Sequence, residues 1–169
     1  SDHHVVLSFF IKIRLLEVNL VKKRCAWSEQ TESMRIYHDT VWGVPEYDDQ
    51  RLFRKLMLDI NQAGLSWQTI LNKSEAFDEA YDSFAIEKVA RYQEDKINEL
   101  MENKGIIRNR RKIEAAIANA KAVQQIQAEF GSFSGYLWGF TDQKVIIFLI
   151  MNKQIFQRLA RYLTNWQKS

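Results

Sequence analysis

Turn-forming residues are what this sequence has least of. Its 169 residues hold one proline and six glycines, and no Asn-Gly or Asp-Gly pair joins two alternating hydrophobic runs. Those pairs are the strongest short-range hairpin signals, so a strand-rich fold is disfavoured and a mostly helical one is expected. A single cysteine, Cys25, excludes a disulfide framework within the chain and fits a reducing, cytoplasmic compartment. No run approaches the ~20 apolar residues of a membrane span. The apolar stretch Val5–Val21 carries Lys12, Arg14 and Glu17, and it lacks both a basic start and a small-residue cleavage site, so no signal peptide is expected. Beyond residue 141 there is no histidine and no cysteine. The net charge of +3 is too small to identify a partner.

What is present is a core. Hydrophobic content of 46% and aromatic content of 12% describe a packed globular chain, long enough for one domain and cramped for two. The chain is organised around Asn61-Gln62-Ala63-Gly64-Leu65-Ser66-Trp67. Before it, Leu52, Phe53, Leu56, Met57 and Ile60 recur at the spacing of one helical face, and Asp48 and Asp49 offer the helix start. After it, Trp67, Ile70 and Leu71 begin a second apolar face. Ala63-Gly64 breaks the first helix, and the Ser66 hydroxyl can cap the second. Asp59 falls in the last turn before the break, as either a solvated carboxylate or one aimed into a pocket.

Short helices are expected over 75–81, 86–92 and 95–101. Asn103-Lys104-Gly105 stops the last of them, and Gly105 allows a positive φ there. A long helix follows, with Ile113, Ala116, Ile117, Ala120, Val123 and Ile126 on one face. Phe130-Gly131-Ser132-Phe133 ends it, and Ser134 is placed as the cap of an aromatic piece over 136–140. Residues 1–23 read as an extension, 24–141 as one helical domain, and 142–169 as a tail packing on it.

Two constellations carry chemistry. Lys104, Arg108, Arg110, Arg111 and Lys112 fall within nine residues without an acid, at a corner between two helices. A solvated face has this pattern, and so does a helix-hairpin-helix, whose backbone N–H groups hold a phosphate while nearby cations neutralise its neighbours. The second constellation is Trp27, Tyr37, Trp42 and Trp67 on either side of the segment with Asp59. Such rings are often core, but enzymes that work on a flipped base hold it between aromatic faces. A carboxylate can accept from the base's N–H groups and favour a cationic base.

Arg24-Cys25-Ala26-Trp27, Tyr37-His38-Asp39, Trp42-Gly43-Val44-Pro45, Gln62–Trp67 and Gly105–Ile113, continued by Phe130–Phe133 and Leu137-Trp138, resemble the 3-methyladenine DNA glycosylase I family. The resemblance covers about residues 23–141. It implies an all-α, helix-hairpin-helix DNA glycosylase-like fold and a monomeric, monofunctional hydrolase of base excision repair. Such an enzyme cleaves the N-glycosidic bond of 3-methyladenine in double-stranded DNA. By the same resemblance Trp27, Tyr37 and Trp67 surround the flipped base and Asp59 recognises it, with Trp42 expected among the substrate-binding residues. Gly64 and Leu65 enter the gap left in the duplex, while Gly105, Arg108, Arg110, Arg111 and Lys112 grip the backbone.

Two departures qualify this reading. Where the family has glutamate this chain has Asp59, whose carboxylate reaches about 1.5 Å less far. A displacement of that order can cost about 100-fold in rate. The family also binds zinc through Cys and His near each terminus. Cys25 and His38 match the first pair, and nothing matches the second. A DNA-binding homologue with little excision activity is the alternative expectation.

Overall fold

The computed structural model describes residues 24–145. The extension over 1–23 and the tail from residue 146 onward lie outside them. Among the described residues every regular element is helical: α1 (Glu32–Thr40), α2 (Asp49–Gln62), α3 (Trp67–Leu71), α4 (Ser74–Ala80), α5 (Ile86–Val89), α6 (Glu94–Glu102), α7 (Arg110–Phe130) and α8 (Phe133–Gly139), with 3-10 turns at Ala26–Glu29 and Asp82–Phe84. These residues form two compact units. One holds the described chain through Val44 together with Gln62–Ser74. The other holds Pro45–Asn61 and the described chain from Glu75 onward.

In the first unit the Thr31 hydroxyl caps α1, accepting from the Met34 amide at 3.2 Å. The expected Ser66 cap forms, with Ser66 Oγ accepting from the Thr69 amide at 3.1 Å. Gln68 clamps α3 to the start of α1. Its Oε1 accepts from the Thr31 hydroxyl, and its Nε2 donates to Ser33 Oγ at 2.8 Å and to Asn72 Oδ1 at 2.7 Å. Met34 and Ile70 supply the buried apolar side chains here.

The second unit is built on α2 and α7. Asp48 caps α2 by accepting from the Arg51 amide at 2.8 Å. The buried stripe of α2 is Phe53, Met57 and Asn61 at i, i+4 and i+8, with Leu58 beside them. It is rotated from the expected face, of which Leu52, Leu56 and Ile60 are only half-buried. Asn61 lies inside with its amide half satisfied: Nδ2 donates to the Met57 carbonyl of its own helix at 2.8 Å, while the buried Oδ1 accepts from no described group. On α7 the expected face is buried from Ile113 through Val123, whereas Ile126 is half-exposed.

The caps beyond α7 differ from expectation. Ser132, not Ser134, caps α8, its hydroxyl accepting from the Gly135 amide at 2.8 Å. The Ser134 amide instead donates to Asp49 Oδ1 at 2.7 Å, the Phe133 amide to Asp49 Oδ2 at 2.9 Å, and Gln127 Nε2 to Asp49 Oδ2 at 2.7 Å. The first residue of α2 thus serves as an anion at the N-terminus of α8, where exposed amides and the helix dipole favour negative charge. Nearby, Trp138 Nε1 donates to the Glu46 carbonyl at 2.8 Å and the Trp138 ring stacks on Tyr47.

Asp82, Ser83 and Phe84 all take positive φ, 52°, 53° and 57°. Left-handed backbone at a non-glycine residue costs on the order of 1 kcal/mol. Tertiary contacts hold it: Phe84 is fully buried and parallel to Tyr81, with ring centroids 5.2 Å apart. The Asp82 carboxylate accepts from Tyr92 Oη at 2.6 Å and Lys88 Nζ at 3.0 Å.

The Asp49 contacts set a pH dependence. Partial burial raises its carboxyl pKa, but the bonds from Gln127, Ser134 and Phe133 outweigh that and leave it below the ordinary value. Its stabilisation is therefore complete above the unfolded-state carboxylate pKa and is lost as pH falls through the lower folded value. Asp49→Ala should cost about 1–2 kcal/mol at pH 7, the scale of a helix cap. In urea titrations the gap between variant and parent should narrow toward pH 3. A gap that stays constant with pH would contradict the assignment.

Candidate functional site

The first unit gathers the sequence-predicted aromatics. Trp27 lies 5.4 Å from Trp42, edge to face, 6.4 Å from Tyr37 and 5.3 Å from His38. Tyr37 lies 5.1 Å from Trp67. None of the four predicted rings is fully buried, and Trp42 is 48% exposed. They form a surface-facing group of aromatic edges and faces rather than a closed core.

A polar chain orients this group. Arg24 grips Asp39 with Nε and Nη2, at 2.9 and 2.8 Å from Oδ2. Asp39 Oδ1 lies 3.0 Å from His38 Nδ1, and His38 Nε2 accepts from the Cys25 amide at 3.4 Å. His38 therefore carries its proton on Nδ1, and its ring stacks on Trp42 at 5.3 Å. A carboxylate on Nδ1 is how a metal-binding histidine is often oriented, but here the Nε2 lone pair takes the Cys25 amide, and Cys25 itself is a half-buried free cysteine. The donor set stops there. Among the described residues no group of three or more His, Cys, Asp or Glu side chains could hold a metal. His3 and His4 lie outside them. Two donors do not make the four-coordinate site of a structural zinc.

Gly64 follows α2 with φ +82° and open space around its Cα. The turn is closed by the Leu65 amide donating to the Gln62 carbonyl at 2.7 Å, and Gln62 Nε2 donates to the Leu65 carbonyl at 3.0 Å. Leu65 is 36% exposed at this turn.

In the second unit Asp59 is exposed in the last turn of α2. It stands two residues from Met57, on the side of the helix away from the buried stripe, which follows from the 100° step per residue. No hydrogen bond or ion pair among the described residues engages its carboxylate.

The basic corner is more differentiated than its sequence. Gly105 does not take a positive φ. Glycine is required by close approach instead: a Cβ there would lie 2.9 Å from Asn103 Oδ1 and 3.0 Å from Ala76 Cβ. Its amide donates to Asn103 Oδ1 at 2.8 Å, and the Ile106 amide donates to the Asn103 carbonyl at 3.4 Å. Those two N–H groups are engaged within the turn. Arg110 is held by Glu94, through Nη2 at 2.6 and 2.9 Å, and by Glu114, through Nε at 2.8 Å. The Arg110 guanidinium in turn keeps the Glu94 carboxyl below its ordinary pKa. Lys112 is half-buried, and its Nζ donates to the Asn61 carbonyl at 2.8 Å. Arg108 and Arg111 are exposed and engage no other described residue.

Sequence reasoning placed Asn103 in a helix stop and Asp39 in a motif, but assigned no bonding role to either, nor to Gln68, Glu94 or Glu114. Asn103, two residues before a glycine, carried an Asx-turn signal. The others act across 15 or more residues, or through a fourth-neighbour pair hidden in a basic run. A shallow groove of about 430 Å³ in the second unit is lined by Tyr92, Glu94, Ile97, Glu114, Ile117 and Lys121 among others. None of the predicted site residues lines it.

A family model described as methyladenine glycosylase matches residues 27–161, running past the limit of about 141 expected from the motifs. DNA-3-methyladenine glycosylase of Haemophilus influenzae is 41% identical over 124 residues, covering 73% of this chain and 67% of its own length. DNA-3-methyladenine glycosylase 1 of Escherichia coli is 40% identical over 122 residues, covering 72% and 65%. The chain therefore spans about two thirds of the length of these relatives. A structure of 3-methyladenine DNA glycosylase I from Staphylococcus aureus, solved for the basis of 3-methyladenine recognition, superposes with a TM-score of 0.69 at 41% identity, covering 72% of this chain and 64% of that one. The motifs, the all-α glycosylase fold and these matches together place the chain in the 3-methyladenine DNA glycosylase I family.

Proposed function

We propose that this protein is a DNA-3-methyladenine glycosylase, a monofunctional hydrolase that releases the alkylated base and leaves an abasic site. The observation that carries the proposal is Asp59: an exposed carboxylate with no partner among the described residues, in the last turn before the Gly64 break, in a chain that also groups Trp27, Tyr37, Trp42 and Trp67. Methylation at N3 makes adenine cationic and weakens its glycosidic bond. The leaving group then needs little proton help, and extrusion, stacking and an anion that favours the cationic base supply most of the rate. Trp27, Tyr37, Trp42 and Trp67 serve as stacking faces, and Asp59 accepts from the base N–H groups. Gly64 and Leu65 fill the gap in double-stranded DNA, and the protein acts as a monomer.

Phosphate contact falls to Arg108 and Arg111 at the N-terminus of the 21-residue α7. Arg110 carries two carboxylates of its own. Arg108→Ala and Arg111→Ala should each lower the slope of log affinity against log salt by about one, equally for all sequences. Arg110→Ala should change it less. Equal slopes for all three variants and the parent would move the DNA elsewhere.

A second reading, a damage-binding homologue with little excision, is favoured by the short reach of Asp59. Two variants separate the readings. Asp59→Asn should cut release of free 3-methyladenine from alkylated DNA far more than it cuts affinity for undamaged duplex. Asp59→Glu should raise release, by up to about 100-fold if reach is limiting. A glutamate variant that folds, binds and releases base no faster than the parent removes reach as the cause. If instead Asp59 is only a solvated helix-end residue, Asp59→Asn will leave activity alone and change stability by less than about 0.5 kcal/mol.

For zinc, we infer from the pair Cys25 and His38 that any binding is weak and open. Elemental analysis of the purified protein should find well under one zinc per chain, and a chelator should leave the melting temperature unchanged. One tightly held zinc per chain would overturn this.

A further inference from the structure

Lys112 is the third residue of α7, at the positive end of that helix's dipole, where a cation is disfavoured. Arg110 and Arg111 share the position and meet it differently. Arg110 takes Glu94 and Glu114, whereas Arg111 stands exposed. Lys112 turns inward, and its half-buried ammonium donates to the Asn61 carbonyl at 2.8 Å. That carbonyl belongs to the last turn of α2, among the four that no amide of the same helix can reach, and to the negative end of the α2 dipole. One cation thus leaves an unfavourable helix end and caps a favourable one. It does so 51 residues from its partner in sequence.

The turn it caps is otherwise held by Asn61 itself. That side chain is 1% exposed and bonded to the Met57 carbonyl. Asp59 rides on this turn, two residues before Asn61 and on its exposed side.

We propose that Lys112 is a positioning residue: it fixes the C-terminal turn of α2, and with it the Asp59 carboxylate, and it is not a ligand of DNA phosphate. This rests on the glycosylase reading for its effect on rate, though not for its effect on the helix. A phosphate ligand must offer its charge to solvent. Lys112 would have to give up a short bond and leave a carbonyl unsatisfied to do so.

The test uses Lys112→Met, which keeps the alkyl stem without donor or charge, and Lys112→Gln, which keeps a donor without the charge. Arg108→Ala is the comparator. In single-turnover assays at saturating protein, Lys112→Met should release 3-methyladenine about 10- to 100-fold more slowly, the scale of a misplacement of about 1 Å. Lys112→Gln should retain more of the rate. For binding to undamaged duplex, both Lys112 variants should keep the parent's salt slope while Arg108→Ala lowers it by about one. A slope lowered by about one in either Lys112 variant would make it a phosphate ligand and overturn the proposal. So would an unchanged release rate in Lys112→Met. If Lys112→Met does not fold, Lys112→Gln decides by its slope.

If the parent releases no 3-methyladenine, the glycosylase reading fails, and hydrogen exchange decides the role of Lys112. Faster exchange of the amides of 59–62 in Lys112→Met, with the buried stretch of α7 still protected, supports the capping role. Unchanged exchange at those amides overturns it.

Discussion

The second unit depends on how α2 is held at its two ends. At its start, the Asp49 carboxylate takes three hydrogen bonds, one from Gln127 on α7 and two from the first amides of α8. At its finish, the Asn61 carbonyl takes the Lys112 ammonium from the opposite end of α7. Residues 49 and 61 thus meet 127 and 112, so α2 and α7 run antiparallel and each end of α2 is tied by a charge-assisted bond, the stronger kind. Between the ends, Arg54 binds Asp78 on α4 through Nε at 2.6 Å and Nη2 at 2.7 Å, and Phe53 and Met57 are fully buried. A helix fixed in this way can present one exposed carboxylate, Asp59, at a defined height and angle.

The same ties change what the basic corner can do. Five cations in nine residues suggest a strong positive patch. Arg110 is neutralised by two carboxylates, and Lys112 faces the Asn61 carbonyl. Of the others, Arg108 and Arg111 are exposed and engage no other described residue, beside the positive end of a long helix. The patch is narrower than its composition suggests and better defined. Such an arrangement favours contact with one or two phosphates over broad electrostatic attraction.

In the first unit order comes from a few polar bonds around half-exposed rings. The Arg24–Asp39–His38 chain fixes the imidazole against Trp27 and Trp42, while Gln68 fixes α3, and so Trp67, against α1. Rings held from behind by hydrogen bonds keep their outer faces available, which is what stacking on a flat base needs.

Local chemistry made much of this protein legible in its sequence. The helical class, the break at Gly64, the caps at Asp48 and Ser66, and most of the buried face of α7 follow from periodicity and from side chains that bond within three residues. The aromatics that gather in the first unit were legible as motifs. Tertiary structure decided what depends on distant partners. The buried stripe of α2 shifted to Phe53, Met57 and Asn61, with a polar residue inside whose Nδ2 bonds back to the Met57 carbonyl. The cap of α8 is Ser132 because the helix already starts at Phe133, which puts Ser134 inside the first turn, where Asp49, 85 residues away, takes its amide. Gly105 is glycine for lack of room beside Ala76 and Asn103, and not for a left-handed φ. The left-handed turn at Asp82–Phe84 exists because a buried aromatic stack and an anchored carboxylate outweigh its strain. Sequence fixes which groups can bond. Only the packed fold decides which of them is within 3 Å.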